Sequence, residues 1–186
     1  MKKRKAKQGG KAYLKVLNIL IVLLGILFVW SLAAGQPARQ SPEFKPGSEP
    51  DGFRGIKWGT DISTVKDMVL VMTIDNDTKR YKRNRDVLRM GEVKLDYIEY
   101  EFWKGMFYLV DIGFEGAENW KNLRSRMFAT FGRGKSESEE EGQVPSRYRW
   151  EGEKTTVIMI YDSRMGGGLT ISSTEIVGQK AKEEME

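Results

Sequence analysis

The sequence predicts an α+β fold: one twisted antiparallel sheet of about five to seven strands with two helices on one face, preceded by an N-terminal membrane helix or signal peptide. Three observations lead there. Residues 16–34, VLNILIVLLGILFVWSLAA, carry no charge, and an apolar run of about 20 residues spans a bilayer as a helix. Residues 106–115 alternate between two side-chain sets with period two, as a strand does. Residues 117–131 place Trp120, Leu123, Met127, Phe128 and Phe131 on one helical face.

Ahead of the apolar run stand Lys2, Lys3, Arg4, Lys5, Lys7, Lys11 and Lys15, with no acid among them. The positive-inside bias keeps this end in the cytoplasm and exports the rest. The chain therefore divides into a basic cytoplasmic region (1–15), a transmembrane helix or signal core (16–34), a proline-rich linker (35–52), an extracytoplasmic α+β domain (53–175) and a polar tail (176–186). Two fates fit the run. Retained, it anchors the chain in a bacterial inner membrane as a single pass, which is the preferred reading. Cut near Ala33, where Ser31-Leu32-Ala33 supplies small residues, it releases the domain to the periplasm. Gln36 stands where a lipobox requires cysteine, which excludes lipid anchoring there.

The net charge of +5 belongs to this leader. Residues 1–15 hold seven of the 31 cations and none of the 26 acids, so the remainder carries 24 cations against 26 acids. The basicity is a topology signal, and no nucleic-acid partner is expected. The chain has no Cys, hence no disulfide, and no His. That removes the commonest general base, the usual zinc ligand and the Ser-His and Cys-His dyads. No metal, cofactor or catalytic residue is expected.

Four of the five prolines fall in residues 35–52, a semi-stiff spacer reaching up to ~50 Å at ~3.1 Å per residue. Thr60 is a fair N-cap, and Ile62, Val65, Met68 and Val69 give helical spacing over 61–68. A strand follows at 70–74. The charged stretch Lys79–Arg89 reads as an edge strand or irregular arm, since charge on an edge blocks pairing with another chain. Residues 93–103 and 106–115 flank Lys104-Gly105 as a hairpin, with a bulge or strong twist expected between Tyr97 and Ile98. Met106, Tyr108, Val110, Ile112 and Phe114 are the expected core set of the second arm. Gly132 ends the helix over 117–131. Strands are expected at 146–150, 155–161 and 169–173, with Gly166-Gly167-Gly168 as the last turn, and the tail is a weak polar helix.

The opening Phe53-x-Gly55-Ile56-x-Trp58-Gly59-Thr60, the Tyr81-x-Arg83 segment, the Phe131-Gly132 helix end and the Trp150 strand resemble uncharacterised exported bacterial domains. Their outline is similar to the beta-lactamase-inhibitor-like fold and to small outer-membrane assembly lipoproteins. The resemblance covers about residues 53–175 and implies a binding or assembly role, with no catalytic residue carried over.

Several patterns carry possible chemistry. Ser63-x-x-Lys66 has the spacing of a serine acylase acting on an envelope polymer, but the companion S-D-N and K-T-G elements are missing. Glu99 with Glu101, and Asp111 with Glu115, share strand faces, where acids are usually solvated. Glu137, Glu139, Glu140 and Glu141 lack the spacing of a calcium loop. The aromatics Tyr97, Tyr100, Phe102, Trp103, Phe107 and Tyr108 crowd one hairpin and cannot all enter one core. Phe107 and Leu109, on the outer face beside Trp103, form an exposed apolar patch unless helices or loops cover them. Arg83 and Arg85 add a cationic surface suited to an acidic partner or anionic lipid headgroups. The expected function is a non-enzymatic cell-envelope interaction or assembly domain on a membrane tether, binding an envelope protein. The alternatives are the Ser63/Lys66 acylase and an anionic-lipid surface module.

Overall fold

The structure is a computed structural model and describes residues 44–136 and 146–186. Its elements run β1 (Gly52–Phe53), β2 (Ile56–Lys57), a 3-10 turn (Ile62–Thr64), β3 (Met68–Thr73), β4 (Thr78–Arg83), β5 (Arg89–Met90), β6 (Val93–Lys94), β7 (Tyr97–Trp103), β8 (Met106–Phe114), α1 (Ala117–Phe131), β9 (Lys135–Ser136), β10 (Arg147–Glu151), β11 (Thr155–Asp162), β12 (Gly166–Ser173) and α2 (Thr174–Glu183). The expected membrane run at 16–34 and the acidic run at 137–141 lie outside the described residues. No helix among the described residues is long and apolar enough to cross a membrane.

The fold is α+β. Eight strands make one antiparallel sheet in the order β3-β4-β7-β8-β12-β11-β10-β9, one strand more than the upper expectation. The β7–β8 hairpin is its centre. Lys104 (φ 49°) and Gly105 (φ 82°) turn it, both at the positive φ that a two-residue hairpin loop needs. Tyr100 pairs with Val110 and Glu101 with Leu109, but Phe102 pairs with Phe107, which leaves Tyr108 as an extra residue. The irregularity therefore lies at this end of the hairpin, not between Tyr97 and Ile98.

Period two assigns the faces. Ile98, Tyr100, Phe102, Phe107, Val110, Ile112 and Phe114 point to the inner face and join the main core. Helix α1 covers that face beyond β8, where Trp120 stacks against Phe114 and Tyr161, and Phe128 meets Tyr148 and Trp150 edge-on. The segment from Phe53 to Val65 covers the other half, with Phe53 near Tyr100 and Trp58 on Phe107. Gly167 lies beneath the Phe114 ring, and a Cβ there would come within 2.1 Å of it. The three glycines thus belong to β12, not to a turn. The turn is residues 163–165, held by Asp162 Oδ1 accepting the Arg164 and Met165 amides.

The helices differ from expectation. Residues 61–68 make only the 3-10 turn: Val65 is already extended, and Asp61 rather than Thr60 caps it, accepting from Ser63 N at 2.8 Å. Pairing of the β-branched run from Met68 with β4 overrides the helical spacing. The second helix is α2, capped by Ser173, and its Ile176 packs with Trp103 and Tyr108. Trp103 shares the parity of Tyr97, Glu99 and Glu101, so α2 sits on the outer face, opposite α1. The two helices do not share a face, and the expected polar tail is part of the fold.

The folded domain includes residues before Phe53. Phe44 meets Phe131 edge-on at 5.1 Å, and Lys45 N donates to Phe131 O at 2.8 Å. Glu49 Oε1 accepts the amides of Lys154 (2.6 Å) and Thr155 (2.9 Å). The last part of the expected linker is fixed to the domain, because Phe44 packs on the end of α1 and Glu49 takes amides at the β10–β11 turn.

Candidate interaction surface

On the outer face, β4, β7 and β8 bring acids and bases together. Arg80 donates through Nε to Glu101 Oε1 at 2.9 Å and through Nη1 to Glu99 Oε2 at 3.3 Å. Tyr108 donates to Glu101 Oε2 at 2.6 Å, and Tyr97 to Asp111 Oδ2 at 3.2 Å. Glu101 is only 5% exposed. Same-strand acids are usually solvated, but here cross-strand register sets Arg80 directly opposite Glu101. Burial first, then the charge of Asp111 and the hydrogen bond to it, pushes the Tyr97 phenol up to about 12. Each carboxylate of this network is neutralised or hydrogen-bonded, so it reads as an internal fastening of the sheet.

The expected patch is covered. The extra residue Tyr108 inverts the phase of β8, so Phe107 turns into the main core and is 0% exposed. Met106 and Tyr108, expected in that core, lie instead on the outer face. There Trp103 and Tyr108 are buried beneath Ile176, with Leu109 half-buried against them. Phe107, Leu109 and Trp103 are therefore not a free surface.

The exposed apolar surface lies one strand pair away, on β3. This strand is the sheet's edge; β4, expected at the edge, is second from it. Its cations are tolerated inside because Arg80 and Lys82 meet Glu99 and Glu101. Val69 is 47% exposed, Leu70 51% and Met72 46%, and Val71 and Ile74 are also exposed. Leu70 pairs with Tyr81 and Met72 with Arg80, leaving Val71 as a bulge. Register puts Met68 and Leu70 on the inner face, and Val69 and Met72 on the outer face. The β3–β4 turn is held by side-chain hydrogen bonds. Asp75 Oδ1 accepts the Asp77 and Thr78 amides, and Lys180 of α2 reaches Asp75 Oδ2 (3.3 Å) and Thr78 Oγ1 (3.0 Å). The hydrogen bond with Thr78 leads in bringing the Asp75 carboxyl down to about 2.

Around this edge, the side chains of Lys66, Lys79, Arg83 and Arg85 make no hydrogen bond or ion pair among the described residues. Arg83 and Arg85 help line an open pocket of about 460 Å³ with Arg54, Asp67 and Asp86. Asp86 is committed to Arg54 (3.0 Å) and to the Tyr100 hydroxyl (2.6 Å), so the two arginines keep their charge free. The structure thus joins Arg83 and Arg85 to β3 rather than to Phe107, Leu109 and Trp103.

Sequence reasoning located β3 but missed its exposure. The signal was there: MVLVM has no polar alternate, so the strand is buried on both faces or uncovered on both. Ser63 and Lys66 do not stand one helical turn apart, because the 3-10 turn ends at Thr64. Among the described residues, no three acidic side chains are placed to hold a metal ion. No protein-family model, curated protein or solved structure matches the chain.

Proposed function

We propose that the chain is a non-enzymatic interaction or assembly domain of the bacterial cell envelope, held at the inner membrane by residues 16–34 and engaging a protein partner. The observation that carries this reading is the β3 edge: consecutive apolar side chains about half exposed, beside backbone groups with no further strand to pair among the described residues. The uncharged run at 16–34 and its seven preceding cations support export of the domain. Because Phe44 is docked, only residues 35–43 separate the run from the fold. At ~3.1 Å per residue they reach about 28 Å, roughly half the span of the whole proline-rich stretch.

A photo-crosslinking residue placed in the full-length chain, in cells, tests the reading. Val69 reports on β3, while Ile160 and Met165 report on exposed apolar positions elsewhere. A discrete protein adduct in the envelope fraction from any of these is the expected result. Absence of an adduct from all three overturns it. The intact mass of the protein from the same membranes separates an anchored chain from one cut near Ala33.

A further inference from the structure

Edge strands are normally blunted by lysine, proline or shortness. Met68–Thr73 has six residues, no charge and no proline, and only the bulge at Val71 interrupts it. That bulge breaks the regular edge and limits which strands fit beside it. A strand adding here gains main-chain hydrogen bonds, and side-chain neighbours choose which strand it is.

Those neighbours are unevenly charged. On the outer face, Arg80 and Lys82 are already paired with Glu99 and Glu101. On the inner face, β4 presents Lys79 and Arg83, both unpaired, on either side of Tyr81. Lys79 lies opposite Thr73 and Arg83 opposite Met68, five residues apart along β3. Val69 and Met72 offer only apolar contact on the outer face.

We infer that β3 receives an extended segment of a partner protein as an added antiparallel strand, and that this segment carries two acidic side chains, four residues apart, on the inner face beside Lys79 and Arg83, the fifth residue of the β3 spacing being the Val71 bulge. This rests on the proposed interaction role and names the partner's chemistry. A second copy fits less well. Pairing β3 with β3 would set the two β4 strands three spacings apart, about 14 Å, with four unpaired cations on one face and no acid between them. A membrane surface fits less well, because anionic headgroups would meet Lys79 and Arg83 but offer no strand to pair with the main chain of β3.

The probe is a blocked synthetic strand about ten residues long, of alternating valine and threonine with two glutamates four apart on one face; a control peptide carries lysines in their place. The full-length chain is held in nanodiscs of neutral lipid, and amide hydrogen exchange is followed by mass spectrometry. The glutamate peptide should slow exchange across 68–73 by about tenfold or more, and the lysine peptide should not. In the Lys79→Glu/Arg83→Glu double variant the preference should reverse, with unchanged exchange in β7 and β8 reporting an intact fold. No slowing, or equal slowing by both peptides, overturns the inference. So does slowing without peptide, whether it grows with protein concentration (a second copy) or on adding anionic vesicles (a lipid surface). Adducts from Ile160 or Met165 with none from Val69 remove this inference alone, whereas no adduct anywhere removes the interaction reading as well.

Discussion

The Tyr108 hydroxyl donates to Oε2 of Glu101 at 2.6 Å, at the point where β8 gains its extra residue. The bulge brings a tyrosine onto the face that Glu101 occupies, and Arg80 meets the same carboxylate from β4. Breaking such a group by removing one member leaves the others buried and unpaired, while replacing both charges removes the desolvation cost as well. Glu101→Leu should therefore destabilise the fold by about 3 kcal/mol, and Tyr108→Phe by about 1 kcal/mol. The double variant Arg80→Leu/Glu101→Leu should recover to within about 1 kcal/mol of the parent. Urea denaturation followed by tryptophan fluorescence measures all three. A double variant worse than Glu101→Leu alone would mean that the pair contributes net stability.

This bulge also marks where the sequence stops being informative. The helix 117–131, the Lys104-Gly105 turn with the strand after it, and the strands near 147–151 and 155–162 follow from local periodicity and turn chemistry, and each is found within a residue or two. The first hairpin arm begins at Tyr97, four residues later than expected, because Val93 and Lys94 pair with Arg89 and Met90 instead. A single extra residue on one strand leaves composition and spacing almost unchanged, yet it exchanges the faces of everything on one side of it. Phe107 and Tyr108 therefore swap roles, and the expected surface goes with them. Exposure of β3 is a different case. It depends on whether another element covers the strand, and α2, which might have done so, instead docks Ile176 on Trp103 and Tyr108. Only tertiary packing decides that.

Two buried tyrosines, Tyr100 and Tyr108, and the half-buried Tyr97 tie the domain's stability to alkaline pH. Burial first, then neighbouring carboxylates, raises the phenols of Tyr97, Tyr100 and Tyr108, that of Tyr97 to about 12. Their unfolded value is near 10. A folded pKa above the unfolded one gives stability that is whole below pH ~10 and is lost as pH rises through about 12. The urea midpoint should hold steady up to about pH 9 and fall between 10 and 12. Phenolate absorbance from these three residues should appear together with loss of the far-ultraviolet dichroism. Tyr97→Phe should soften the fall. Full phenolate formation with the dichroism intact would show that these hydroxyls ionise within the native fold.

Residues 44–50 hold the start of the fold through bonds that depend on one another. Glu49 Oε1 takes the amides of Lys154 and Thr155. Thr155, fully buried, donates through Oγ1 to Pro50 O at 2.6 Å and accepts from Trp58 Nε1 at 2.8 Å. Lys45 Nζ reaches Ala129 O at 2.7 Å and so satisfies a free carbonyl at the end of α1, where a cation is also favoured by the helix dipole. Glu49→Ala leaves two backbone amides without their acceptor and should cost about 2 kcal/mol. Phe44→Ala removes the edge contact with Phe131 and should cost about 1 kcal/mol. If the segment docks as a unit, loss of the Glu49 anchor frees Phe44 too, and the combined variant should cost no more than Glu49→Ala alone. Strict additivity in thermal or urea unfolding would mean that the two contacts form independently, and that the free reach of the chain before the domain changes in two steps rather than one.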